Sequence, residues 1–313
     1  GAQPVSDVRL LTGTVSSLSE RVVTGYRKTL DSVAWDTPDA EMIENLTRNV
    51  YQFSAAKNYQ QLRDMTLALH DGERLLSESE YFEKIEAMNM KYNRTWLRTE
   101  RDTAIAGGQM ASRWIQFEKE KDILPHLTYR TAGDSHVRRE HQLLDGTTKP
   151  IDDPFWSTYY PPNGYGCRCD VEQALPDAKP TPNSHIQTPD IPVLFRTNLA
   201  KNGLVFPKGH PYYQGVTGAE IRKAIAYLPP ENAYMSVKAT SVEDTIDLHV
   251  MHNKAETLSN LEVANDLLRA GYKNIRLLPD IHQKDAHLRK KFLPKNYKQN
   301  DIRKNPDCWM QDE

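Results

Sequence analysis

Apolar and polar positions over residues 1–125 follow a helical period. From Glu41 onward, Ile43, Leu46, Val50 and Phe53 recur at three- and four-residue steps, the spacing that lines up one stripe on one helix face. The pattern continues through Leu62, Met65 and Leu69 to a turn at His70-Asp71-Gly72. Ser77 followed by Glu80 has the form of a capping box, and Phe82, Ile85, Met88, Tyr92 and Trp96 set a second helical period leading to Arg98-Thr99-Glu100. Unbroken to Lys119, this helix would be about 60 Å long at ~1.5 Å per residue. The pair Gly107-Gly108 predicts a bend or break, because paired glycines are poor helix formers.

The helical period ends near Ile123 and gives way to turns and short extended pieces through Val171. Prolines at 176, 180, 182, 189 and 192 then mark a linker or an extended arm lying along the surface. Residues 217–227 read as a short helix. The remainder reads β-β-α-β: strands over Tyr234–Ala239 and Thr245–Met251, a helix over Leu258–Ala270 capped by Gly271, and a strand over Asn274–Leu278. The fold class expected is therefore α+β, with a long helical N-terminal part, a compact turn-rich α+β domain and a small C-terminal β-β-α-β domain. The boundaries that follow are an N-terminal arm over 1–40, a central domain over 41–215, a connector over 216–234 and a C-terminal domain over 235–313. Within the central domain, 41–122 is helical, 123–175 is α+β and 176–215 is proline-rich.

Composition narrows the classes. A chain of 313 residues holds about two domains and has ample core to bury. A net charge of −2, with 26% charged and 38% hydrophobic residues, describes a soluble polypeptide whose nucleic-acid binding, where present, must be local. Three cysteines cannot build a disulfide framework, and a Cys167–Cys169 bridge would close a strained small ring, so a reducing compartment is expected. No apolar run approaches ~18 residues, so no membrane association is expected. A start at Gly1 without a signal peptide reads as a processed or engineered beginning.

Chemistry concentrates between Tyr129 and Asp170. Gly133-Asp134, Asp145-Gly146 and Pro161-Pro162-Asn163-Gly164 are turn formers, and Cys167-Arg168-Cys169 follows them. In an extended Cys-x-Cys both thiols emerge on one face, so Cys167, Cys169 and His141 form a candidate zinc set, completed by Asp134, His136 or His126. The alternative is a pair of core thiols beside a hydrogen-bonded His141. Arg98, Glu100, Arg130, Asp134, Arg138 and Asp145 gather both signs of charge. With no nucleophile and base evident among them, they read as a buried ion-pair network pinning irregular chain rather than an acid–base site. Phe155, Trp156, Tyr159, Tyr160 and Tyr165 make either an interface or a core beneath the turns.

The order Arg98-Thr99-Glu100, Gly133-Asp134-Ser135, Val137-Arg138, His141, Leu144-Asp145-Gly146, Asp153-Pro154-Phe155, Pro161-Pro162-x-Gly164 and Cys-Arg-Cys resembles the phage Mu F-like head morphogenesis family. That resemblance implies a minor capsid protein made in the bacterial cytoplasm and placed in the virion, in the head interior or portal vicinity. Its implied partners are portal or capsid proteins, and its implied role is structural.

In the C-terminal domain, Glu262-Val-Ala264, Leu267-Leu268, Gly271-Tyr272 and Asn305-Pro306-Asp307 resemble a nuclease of the contact-dependent-toxin tRNase type. The resemblance implies Glu262 and Asp307 as catalytic acids around Mg²⁺, an RNA or DNA target and an immunity protein as partner. The Glu-x-Lys element of such nucleases is missing before Glu313, so the domain is expected to be incomplete. From Lys284 to Lys304 there are eight basic residues, among them Arg289, Lys290, Lys291 and Lys295, interleaved with Phe292 and Tyr297. They form a candidate nucleic-acid face or a solvated surface. His249, His252, His282 and His287 offer a metal-free alternative. Three function classes stay open at this level: a head morphogenesis protein, an effector nuclease delivered by the particle, and a zinc-stabilised binding module.

Overall fold

The computed structural model describes residues 7–240, 243–293 and 307–311. In chain order its main elements are α1 (Val8–Tyr26), α2 (Pro38–Leu67), β1 (His70–Asp71), β2 (Arg74–Leu75), α3 (Glu78–Met90), a π-helical segment (Lys91–Trp96) and α4 (Leu97–Glu120). There follow β3 (His126–Arg130), α5 (Arg139–Gln142), β4 (Thr148–Pro150), α6 (Phe155–Tyr159), β5 (Asp170–Gln173), α7 (Gly218–Ala226), β6 (Tyr234–Lys238) and β7 (Thr245–His249). The last are α8 (Thr257–Arg269), β8 (Lys273–Leu277), α9 (Ala286–Arg289) and β9 (Cys308–Gln311). The class is α+β, with several small sheets and a long helical N-terminal part.

The chain compacts into two units, each assembled from discontinuous stretches. One comprises the described residues within 1–15, 28–67 and 215–313, and the other comprises 16–27 and 68–214.

In the second unit α4 is the organising helix. It runs unbroken through Gly107 and Gly108, so the chain does not break there. The reason is steric: a Cβ on Gly108 would sit 2.4 Å from the Val22 carbonyl oxygen, and one on Gly25 would sit 2.1 Å from that of Ile105. Residues of α1 and α4 therefore touch backbone to backbone, which only glycine permits. Preceding α4, Ser77 and Glu80 form the expected capping box, and the helical path continues from α3 through the π-helical segment into α4. The Phe82 stripe does not become core; no residue of α3 is buried and Phe82 is 59% exposed, whereas Tyr92 in the π segment is buried. Against α4 lies a three-stranded antiparallel sheet in the order β4-β3-β5. Tyr160 donates its hydroxyl to the Met110 carbonyl at 2.9 Å, and its ring meets Trp114 edge-on at 5.0 Å. Arg113 donates to the Val171 carbonyl at 2.8 Å and pairs with Asp170 at 3.0 Å.

In the other unit, Ile43, Leu46, Val50 and Phe53 of α2 are all buried, as their spacing requires. The C-terminal sheet has the order β6-β7-β8-β9, with β7 and β8 parallel and the outer pairs antiparallel. The parallel pair needs a crossover, and α8 supplies it. Arg48 of α2 donates from Nη1 to the carbonyls of Val250 and His252 at 2.7 and 2.8 Å, while Glu44 holds its Nε at 2.7 Å. Tyr51 donates to the Asn232 carbonyl at 2.7 Å.

Two expectations follow. Gly25→Ala and Gly108→Ala force backbone atoms apart and should each destabilise by about 2–3 kcal/mol, as overpacking does. Gly13→Ala, whose Cβ meets nothing within 4 Å inside α1, should instead stabilise by about 0.5–1 kcal/mol; urea unfolding midpoints of the three variants check both signs.

His249 is fully buried and its imidazole is held down to about 3, first by burial, then by the Arg48 and His252 charges. The folded protein keeps it neutral, whereas the unfolded chain takes up a proton below about 6.5. Its contribution is therefore complete above pH about 6.5 and is lost as pH falls from there toward 3. Urea midpoints of His249→Phe should fall less steeply than wild type between pH about 6.5 and 5.

Candidate functional site

β3 is the central strand of its sheet, and both of its neighbours and its following loop fold back onto it. Leu127 pairs with Lys149 and Gln173, and Tyr129 pairs with Val171, with Leu127, Tyr129 and Val171 wholly buried. Beyond β3 the chain turns at Gly133 and Gly146, which adopt φ of 71° and 75°, left-handed values that suit glycine. Gly146 N–H returns to the Tyr129 carbonyl and Tyr129 N–H reaches the Thr147 carbonyl, both at 2.9 Å. Asp145 accepts from the backbone N–H and the hydroxyl of Thr131 at 2.7 and 3.1 Å.

The single turn of α5 directs His141 inward. The extended Cys167-Arg168-Cys169 directs both thiols the same way and sends Arg168 outward, as alternation along an extended chain requires. Arg168 grips Asp134 with two parallel hydrogen bonds of 2.7 and 2.6 Å, tying the loop before α5 to the cysteine segment. This fork holds the Asp134 carboxyl down to about 2. His141 Nδ1 consequently lies 3.7 Å from Cys167 Sγ and 3.4 Å from Cys169 Sγ. Among the described residues, these three make the one group of His, Cys, Asp and Glu donors that fall within 4.8 Å of one another, and all three are buried. His136 is exposed and His126 half-buried; neither they nor Asp134 joins the group.

The thiols share charge unequally. Cys167 is held down, first by its hydrogen bond with the Cys169 side chain and, against desolvation, by His141 and the backbone of Asn163 and Cys169. Cys169 is pushed up by its hydrogen bond with the Cys167 sulfur and by burial. Tyr129, pushed up by burial and then by the two sulfurs, donates its hydroxyl to Asn163 Oδ1 at 2.8 Å. Asn163 and Arg168 are the functional residues that the sequence reading passed over. The first stood in a run read only as a bend, although a buried Asn in a turn needs partners. The second was the unassigned middle of Cys-x-Cys, and its outward direction was implicit in the alternation.

Of the charged motif residues Glu100 is buried, whereas Arg98, Arg130, Asp134, Arg138 and Asp145 are exposed. The Asp134–Arg168 and Arg130–Glu172 pairs are each about half exposed, because the turns they join lie at the surface. Arg138 is also exposed and donates to the Tyr165 carbonyl. Arg98 is exposed near the start of α4. Glu100 is buried and accepts the Tyr212 hydroxyl at 2.9 Å. Among the aromatics, Phe155, Trp156 and Tyr160 are core, with Trp156 Nε1 donating to the Pro150 carbonyl at 2.9 Å; Tyr159 and Tyr165 are half-buried.

The C-terminal candidates do not converge as the central ones do. Glu262 is exposed on α8 and Asp307 is exposed just before β9, and neither joins a group of three donors among the described residues. Asp307 does lie near enough to His252 to act on it electrostatically. His252 is buried between the Leu278 carbonyl at 2.7 Å and Asn260 at 3.0 Å, and burial lowers it despite Asp307. His282 caps the 3₁₀ turn that follows it, and His287 is exposed. Arg289 does not face solvent: it is 4% exposed and donates to the Ile281 carbonyl through Nε and Nη2. Phe292 packs with Ala226, Leu278, Ile281 and Leu288, so it is core rather than a base-stacking platform. Lys290 is exposed, and Lys291 is exposed over the Tyr227 ring at 4.6 Å from its centre. Lys295 and Tyr297 lie outside the described residues. No helix among the described residues is long and apolar enough to cross a membrane.

Comparison with known proteins bears on the central site. Residues 45–172 match the family described as Phage Mu protein F like protein. The Mu-like prophage FluMu F protein of Haemophilus influenzae is 43% identical over 79 residues, 25% of this chain and 18% of that protein. Protein F of Escherichia phage Mu, which carries a capsid-assembly name, is 41% identical over 61 residues, 20% of this chain and 14% of that one. The aligned stretches thus span less than a fifth of either relative. No solved structure matches this chain. Residues 235–313 fall outside the family match, which runs from within α2 into β5 and takes in Arg98, Asp134, His141, Cys167 and Cys169. Over residues 45–172, then, this chain resembles the phage Mu F proteins.

Proposed function

We propose that this protein acts in phage head morphogenesis, as a minor component of the particle that docks on portal or capsid proteins through its Mu F-like segment. The observation that carries this reading is the placement of the family match, which ends on the turn-rich residues folded around β3. Those residues form a surface on which Asp134 pairs with Arg168 and Arg130 with Glu172, over a core of Trp156, Tyr160 and Val171. A pre-ordered surface loses little conformational entropy when a partner settles on it, which suits a docking role. The capsid-assembly name of phage Mu protein F supports the same reading.

Removing this protein from cells producing the particle should sharply lower the yield of DNA-filled heads seen by electron microscopy. Supplying the wild-type chain in trans should restore it, with a tagged copy co-sedimenting with heads. Undiminished head yield without the protein, or a tagged copy that stays at the top of the gradient, would refute the proposal.

A further inference from the structure

The geometry points to a zinc site in which His141 Nδ1, Cys167 Sγ and Cys169 Sγ hold one metal ion. The first argument is metric. Tetrahedral zinc with Zn–S of about 2.3 Å and Zn–N of about 2.05 Å separates nitrogen from each sulfur by about 3.6 Å. The two distances here, 3.7 and 3.4 Å, straddle that value.

The second argument is valence. One imidazole nitrogen either donates one proton or offers one lone pair, so it serves a single thiol by hydrogen bonding. Here Nδ1 faces two sulfurs at once. An ion among the three donors satisfies all of them, and two thiolates cancel its double charge, which makes a buried site tolerable.

The third argument is the surrounding support. The backbone of Asn163 and of Cys169 favours the charged form of the Cys167 sulfur, and Asn163 is itself held by the Tyr129 hydroxyl at 2.8 Å, the kind of outer contact that holds a thiolate ligand in place. Arg168, lying between the ligands, fixes the direction of both through its fork to Asp134. A cavity of about 430 Å³ lined by Cys167, Arg168, Cys169, Asp102, Pro162 and Gly164 leaves room for water or a partner's donor as fourth ligand.

Bound there, the ion links α5 to the segment entering β5 and closes a loop that contains α6 and the Pro161–Pro162 bend. It acts as a staple for an irregular region, independently of what that region docks against.

The full-length chain, purified without chelators from zinc-replete cells, should contain about one zinc per chain by elemental analysis. Cys167→Ser and His141→Ala should each lose it. Because those variants risk misfolding, the wild-type protein supplies a second measurement. Thiol titration of the native chain should detect Cys308 alone, which is half-buried outside the site, and chelation should release two further thiols. Cobalt taken up by the chelated protein should give a sulfur-to-metal charge-transfer band that zinc abolishes. Folded wild-type chain without stoichiometric metal or cobalt bands would overturn the inference. So would a Cys167–Cys169 disulfide in the intact mass, or zinc that persists in both variants.

Discussion

The constraint on which the central region depends is that buried backbone N–H and C=O groups must be paired, and residues 126–173 contain little regular structure with which to pair them. β3 resolves this. Its five residues serve β4 on one side, β5 on the other and the returning Gly146-Thr147 turn beyond. Once those bonds fix the turn, α5 has one direction to face, and His141 comes to the cysteines. The convergence of imidazole and thiols thus follows from how an irregular chain closes its backbone bonds.

Arginine does the remaining tying, and it does so in three settings. Arg168 grips a carboxylate at the surface, Arg48 bridges two carbonyls of the C-terminal unit, and Arg289 is turned inward onto Ile281. Each uses the planar fork that lysine lacks, and each guanidinium is thereby committed within the fold. That is why the positive charge between Lys284 and Lys291 is not a uniform face: Arg289 is inside, Lys291 lies on Tyr227, and the adjoining Phe292 fills the core.

Much of this was legible in the sequence wherever one period dominated. The Ile43 stripe, the Ser77 capping box, the helix at 218–226 and the β6, β7, α8, β8 order all came from local pattern, and Gly271 adopts the positive φ expected of a helix cap. Elsewhere a residue type had two opposite meanings. Gly107-Gly108 carries the same letters whether glycine breaks a helix or lets another backbone approach, and only the position of Val22 decides. The period of Phe82 marks a helix without saying whether anything packs on it. The Cys-x-Cys geometry could be read from alternation, and His141 was joined to it as the nitrogen ligand of the same stretch. The support from Asn163 could not, because it depends on a turn folding beneath Tyr129.

The path of α2 has a further consequence. Residues 45–172 match one family without interruption, yet α2 and the residues after β2 go to different compact units. α2 contributes Arg48 and Tyr51 to carbonyls of Val250, His252 and Asn232, so the chain just before β6 and just after β7 has part of its backbone satisfied by the Mu F-like stretch. Cutting the chain before β6 would remove both carbonyl acceptors of the Arg48 guanidinium and leave its pair with Glu44. The same cut would leave the bonds of β3, Arg168 and the thiol cluster intact, since none of them involves residues beyond 214. The thiol cluster and the C-terminal sheet therefore rest on different bonds, and the order of the central site does not require that sheet.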